Sequence, residues 1–213
     1  SLESSRLDST GESGWVGSGW VDIAACGALA DGTTDNSAVI QAAIDSLGTQ
    51  GGTVLIPEGA QPYGISSTIE MKPRVSLVGV GTGVKLIALD GWTATDPMIK
   101  YSASSAVDGV IHQSWIRGVG INCNEKANYG VHAQNWQVPG GMDSVVISGA
   151  KLYGLWLDGD NGTPSGQVMH CYFSNVWVIP SSSSSTYVDP ASRGIMVEGA
   201  NGTVGFDNIT VAG

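Results

Sequence analysis

Cys26-Gly-Ala-Leu-Ala-Asp-Gly-Thr-Thr-Asp-Asn-Ser-Ala-Val-Ile-Gln-Ala-Ala-Ile-Asp45, followed by Gly51-Gly-Thr-Val-Leu-Ile-Pro-Glu-Gly59, decides the fold. Val39, Ile40, Ala43, Ile44 and Leu47 recur at helical spacing while Asn36, Gln41 and Asp45 fall on the opposite side. The spacing predicts one amphipathic helix from Asp35 or Asn36 to about Leu47. Thr34 or Asp35 offers a side-chain oxygen to its first turn, and Gly48 stands where a left-handed residue ends a helix. Beyond it, Thr53-Val-Leu-Ile reads as a short buried strand, Pro57-Glu-Gly as a turn, and Tyr63-Gly-Ile-Ser-Ser-Thr-Ile69 as a second strand.

Working outward, the rest of the chain is a succession of short apolar alternations broken by Gly, Asn, Asp and Ser. Val119-Gly-Ile, Val145-Val-Ile, Val176-Trp-Val and Ile209-Thr-Val share one in-out-in pattern and start 26, 31 and 33 residues apart. A second register follows the first three as Val131-His-Ala, Leu155-Trp-Leu and Ile195-Met-Val, each preceded by glycine (Gly130, Gly154, Gly194). Segments this short bury little alone, so an imperfect repeat of two strands per coil points to stacking of each on the next. The longest corner, from about Pro180 to Arg193, holds Ser181-Ser-Ser-Ser-Ser185 and reads as a flexible excursion.

The helix, the Asp31-Gly-Thr-Thr-Asp35 run and the glycine pair before the Thr53 strand resemble the N-terminal signature of the pectate-lyase-like superfamily of right-handed parallel β-helices, over roughly Val21 to Gly81. Two positions depart from that pattern: Cys26 stands where an aromatic is usual, and Asn36 where a second aspartate is common. The resemblance implies an all-β, right-handed parallel β-helix with an N-terminal capping α-helix at about 35–47. An extended stack has an open apolar end, which an amphipathic helix laid across it would close. Residues 1–20, rich in Ser, Gly and acids, read as a linker or N-terminal arm, and 21–213 as the β-helix domain. The final Phe206-Asp-Asn-Ile-Thr-Val rung has no polar segment after it, which suggests that the helix is incomplete at that end.

The chain has 213 residues, 9 Lys plus Arg against 19 Asp plus Glu, and a formal charge of −10. A phosphate-backbone partner is disfavoured, because no basic surface is available to displace counterions. No apolar run is long enough to insert in a membrane. Cys26, Cys123 and Cys171 form neither a CxxC pair nor a disulfide framework and read as buried thiols. His112, His132 and His170 lack metal-ligand spacing, so no metal and no cofactor is expected.

With Val131, Leu155 and Ile195 inward, alternation turns His132, Trp156 and Met196 outward in one column and Gln134, Asp158 and Glu198 in the next. Adjacent strands lie ~4.8 Å apart, near the roughly 5–5.5 Å carboxyl separation of retaining glycosidases. Asp158 and Glu198 are therefore the candidate catalytic pair. Trp156, with Trp136 or Trp177 nearby, offers an apolar face for a sugar ring, and His132 joins them as a substrate-binding candidate. Asp160 and Asp189 are loop-borne alternatives, and Asp158, Asp160 and Asn161 form an all-oxygen set that calcium could use. The same Asp158-Gly-Asp-Asn-Gly and Glu198-Gly-Ala-Asn-Gly segments also read as solvated turns.

The resemblance implies a polysaccharide-binding and polysaccharide-degrading module, a hydrolase or lyase acting on bacterial surface glycan. It is most like the N-terminal part of a phage tailspike, hence homotrimeric and placed on a virion tail or outside the cell. The alternative is a non-catalytic structural or receptor-binding tail-fibre segment.

Overall fold

The computed structural model describes residues 16–17, 19–48, 50–81, 83, 85–93, 95–102, 110–159, 167–180, 193–199 and 202–211. The first 15 residues of the expected arm, the serine run, Asp160, Asn161 and Asp189 lie outside them.

The chain is nearly all-β with parallel sheets. β1 (Val16–Gly17) and β2 (Trp20–Asp22) precede a helix, α1 (Ser37–Leu47). Then come β3 (Gly52–Pro57), β4 (Tyr63–Ile65), β5 (Ile69–Glu70), β6 (Val75–Val80), β7 (Lys85–Ala88), β8 (Pro97–Tyr101) and β9 (Ile111–His112). The remainder are β10 (Trp115–Arg117), β11 (Gly120–Asn122), β12 (Tyr129–Ala133), β13 (Trp136–Ala150), β14 (Tyr153–Gly159), β15 (Met169–Pro180), β16 (Arg193–Gly199) and β17 (Val204–Val211). Apart from the small β1–β2 hairpin, every pairing between these strands is parallel.

Helix α1 buries Ile40, Ala43, Ile44 and Leu47 of the predicted stripe, leaves Val39 half-buried, and packs against β2, β3 and β5. Its anchor is Asp35. Oδ1 accepts from the Ser37 amide (3.0 Å), the Ser37 hydroxyl (2.6 Å) and the Ser66 amide (3.1 Å), and Oδ2 accepts from the Ser66 hydroxyl (2.5 Å). One carboxylate thus ties the helix start to the turn after β4. Asn36 corrects the sequence reading, because it is buried instead of facing water. Its amide bonds the backbone of Leu29, Thr34 and Gly64, satisfying polar groups that the incoming loop would otherwise bury unpaired.

The two predicted registers align as read. Val119, Val145, Val176 and Ile209 fall in one line, and Val131, Leu155 and Ile195 in another. Three inward apolar columns result: Val21, Val54, Leu77, Ile116, Met142, Phe173 and Phe206; Leu86, Ile121, Ile147, Val178 and Val211; and Ile69, Ile99, Val131, Leu155 and Ile195. A third line of strands therefore exists where two per coil were expected. Its origin is a left-handed residue that bends one continuous strand onto two faces: Ser144 (φ 56°) in β13, Asn175 (φ 52°) in β15 and Asn208 (φ 50°) in β17. Asparagine tolerates that conformation better than most residues. The corner is laddered, with Asn208 Nδ2 donating to Asn175 Oδ1 at 2.7 Å and Asn175 Nδ2 to Asp143 Oδ1 at 3.1 Å. Ser174 Oγ donates to the same Asp143 oxygen at 2.8 Å, and these bonds hold the Asp143 carboxyl below the usual carboxylate range.

Cys123 and Cys171 are buried, and burial pushes both thiols up to about 12. Cys26 is exposed, so the buried-thiol expectation fails there.

Candidate functional site

The candidate residues sit on the outer face of the five-stranded sheet β5-β8-β12-β14-β16. Register places Glu70, Lys100, His132, Trp156 and Met196 in one column, with Asp158 opposite Glu198 in the next. The indole of Trp156 stacks on the imidazole of His132, with centroids 3.9 Å apart and planes 6° from parallel. Tyr129 lies 5.0 Å from the Trp156 ring, and Tyr153 meets it edge-on at 5.7 Å.

Strict alternation would put Tyr129 and His132 on opposite faces. They share one because Gly130 and Val131 both face inward, as do Gly154 and Leu155 in the next strand. A Cβ on Gly130 would overlap Ile147, and one on Gly154 would overlap Val178. The glycines leave room for aliphatic side chains of the facing column, and the tyrosines before them turn out to the surface. Tyr129 and Tyr153 escaped the sequence reading. Their signal was the glycine that opens each strand of this register.

Two carboxylates face this aromatic cluster from different environments. Asp158 is buried; its Oδ2 lies 3.3 Å from His132 Nε2 and accepts from Gln134 Nε2 at 3.2 Å. Burial pulls the His132 pKa below the ordinary histidine value, helped by the Lys100 charge and opposed by the Asp158 hydrogen bond and charge. The ring is thus neutral at pH 7, and the tautomer carrying its proton on Nε2 donates to Asp158. Glu198 is solvent-exposed, and its Oε1 accepts from Trp156 Nε1 at 2.7 Å. Lys100 lies 3.8 Å from Glu70 Oε1, whose second oxygen accepts from Ser102 Oγ at 3.2 Å. The face thus combines aromatic rings, the carboxylates of Glu70, Asp158 and Glu198, and a lysine, a set able to hold a sugar ring and exchange protons with it.

Four of the six predicted site residues come together here: His132, Trp156, Asp158 and Glu198. Trp136 does not. It is fully buried, stacked on Tyr101 at 3.9 Å, edge-on to Phe173 at 5.6 Å, and donates from Nε1 to the Ser114 carbonyl at 3.0 Å. Its substrate-binding assignment is corrected to a core role, because an inward ring fills the space between β8 and β15. Trp177 is 53% exposed but belongs to the other sheet, paired with Val146, and does not join Trp156. Among the described residues, no group of three or more His, Cys, Asp or Glu is placed to hold a metal, and no helix is long and apolar enough to cross a membrane.

Comparison with known proteins is consistent with the parallel β architecture. A family model described as rhamnogalacturonase A/epimerase, pectate lyase-like, matches residues 20–212. The tail spike protein of Shigella phage Sf6 is 30% identical over 146 residues, 64% of this chain and 23% of that protein. Mannuronan C5-epimerase AlgE1 of Azotobacter vinelandii is 43% identical over 76 residues, 32% of this chain and 5% of that protein. Among solved structures, the gp42 tailspike of an Acinetobacter phage superposes with a TM-score of 0.57 at 13% identity, covering 82% of this chain and 35% of that one. This chain thus spans under a quarter of the length of either curated relative.

Proposed function

We propose that this chain, which belongs to the rhamnogalacturonase A/epimerase, pectate-lyase-like family, is a polysaccharide-binding and polysaccharide-degrading module of the phage tailspike type. In this reading the parallel sheets form a right-handed β-helix over about 21–213, with α1 as its N-terminal lid. The protein works as a homotrimer on a virion tail or outside the cell. The similarity to the phage tail spike supports the setting, and similarity to an epimerase acting on mannuronan supports a polymeric sugar as ligand.

The observation that carries the reading is the pairing of Asp158 with Glu198 on adjacent strands beside the Trp156–His132 stack. Asp158, fixed by Gln134 and His132, is assigned as the carboxylate that attacks the sugar or activates water. Glu198, facing solvent and oriented by the Trp156 indole, is assigned as the proton donor to the leaving oxygen. Tyr129 and Tyr153 wall the sugar-binding face.

The test is incubation with a panel of capsular and O-antigen polysaccharides while following new reducing ends and unsaturated-sugar absorbance. Reducing ends without absorbance indicate hydrolysis, and both together indicate elimination. Asp158→Asn and Glu198→Gln each lower cleavage by at least about 100-fold, the range of acid–base catalysis, with the circular dichroism spectrum unchanged. Cleavage retained in either variant removes that residue from the chemistry. Binding without cleavage supports the receptor-binding fibre segment instead.

A further inference from the structure

We infer that the chain carries a second saccharide site on its other sheet, a groove that takes an acidic oligosaccharide segment between Trp177 and Lys85. The groove encloses about 490 Å³, within the ordinary range for small-ligand sites, and none of the His132–Trp156 cluster lines it. Register shows how it forms. Lys85, Gly120, Val146 and Trp177 occupy one outward line across four adjacent strands, with a span of roughly 14 Å at ~4.8 Å per step. Gly120 has no side chain, so the line dips between a flexible ammonium at one end and an indole wall at the other. Ser148 and Ile179 flank the trough in the next line.

The lining chemistry selects the occupant. Trp177 is 53% exposed and Val146 40%, a flat apolar platform of the kind that packs against a pyranose face. Lys72, Lys100 and Lys126 each face a carboxylate (Asp45, Glu70 and Asp90), whereas Lys85 makes no ion pair among the described residues. Among the described residues no aspartate or glutamate lines the groove, although the chain carries a net charge of −10; the carboxylate of Glu58 sits behind Gly83 at its edge. A cation without an ion-pair partner, lining a trough on an acidic protein, fits a carboxylate-bearing sugar. This site is independent of the glycan-processing reading, since the two faces share no residue.

The test titrates the chain with tetragalacturonate, tetramannuronate and neutral maltotetraose, following tryptophan fluorescence and backbone NMR shifts. The expected result is binding of at least one acidic tetrasaccharide, with shifts at Gly120, Val146 and Ser148, and at least fivefold weaker binding of maltotetraose. Trp177→Ala weakens the acidic ligand at least tenfold and Lys85→Gln at least threefold, with thermal melts unchanged because both side chains are at the surface. Trp156→Ala leaves this binding intact, which separates failure of one face from failure of the other. Absence of binding by both acidic tetrasaccharides overturns the proposal, as does binding indifferent to both groove substitutions. Conversion of an oligomer to a monomer by Trp177→Ala, without saccharide binding, assigns the face to a second copy and likewise overturns it.

Discussion

Gly154→Ala tests the packing rule on which the candidate site depends. The position does not have a left-handed backbone, so alanine meets no conformational objection there. Such a substitution would ordinarily stabilise by about 0.4–1 kcal/mol through the unfolded chain. The added methyl, however, would lie 3.5 Å from Ile147 Cγ2, 3.1 Å from the Gly194 carbonyl oxygen, and inside the van der Waals envelope of Val178 Cγ1. Overpacking by one methyl typically costs about 1–3 kcal/mol, which outweighs the backbone gain. The net loss is about 1–2 kcal/mol, or roughly 2–8 °C in melting temperature for a chain of this size. Val178→Ala alone leaves a hole and costs roughly 2 kcal/mol. In the double variant the new methyl occupies that hole, so the two losses fall short of additivity by at least about 0.5 kcal/mol. Urea melts of the four proteins measure the cycle. A Gly154→Ala chain as stable as the parent, or strictly additive losses, would refute the claim that the glycine is there to admit Val178.

Asn175→Ala places a non-glycine residue without a local amide at φ 52° and cuts the ladder between Asp143 and Asn208; a loss of about 1–2 kcal/mol is expected, with Asn175→Gly losing less, both read from denaturant midpoints. For His132, burial lowers the folded-state pKa below the unfolded value near 6.5, so the unfolded chain binds the extra proton more readily. Stability is therefore full above pH 6.5 and falls as pH drops from there through the folded pKa. His132→Gln flattens that window, and a pH series of thermal melts shows the difference; an imidazole whose NMR titration midpoint lies above 6.5 contradicts the sign.

The parallel stacking was legible because inward residues repeat by type: Val145, Val176 and Ile209 pair, as do Ile121, Ile147 and Val178, in the register their sequence pattern gave. The bend at Ser144, Asn175 and Asn208 was not, since a left-handed corner inside a continuous strand leaves only a polar pair (Asp143-Ser144, Ser174-Asn175, Asp207-Asn208) between apolar residues, as a turn does. Asp158 and Glu198 were readable from period-two alternation carried forward from Leu155 and Ile195. The same arithmetic gave no way to tell that Asp158 is buried under His132 and Gln134, which depends on side chains from the neighbouring strand. Trp136 was misplaced for a related reason. It lies outside the two aligned registers, and its neighbours Tyr101 and Phe173 are 35 and 37 residues away in sequence.

Scaffold and site are set by one feature in this chain. Tyr129 and His132, like Tyr153 and Trp156, are three residues apart, an odd separation that an unbroken strand places on opposite faces. The paired inward step at Gly130–Val131 and at Gly154–Leu155 removes that opposition, and it is possible only where the first inward residue has no side chain. With any larger residue there, either Ile147 and Val178 leave their column or the strand resumes strict alternation and draws the tyrosine into the core. In the first case stability falls; in the second the rings around Trp156 disperse, and with them the surface on which a sugar would lie beside Asp158 and Glu198. The glycine column is therefore a requirement of the outer face as much as of the core, and loss of glycan binding in Gly154→Ala should accompany its loss of stability.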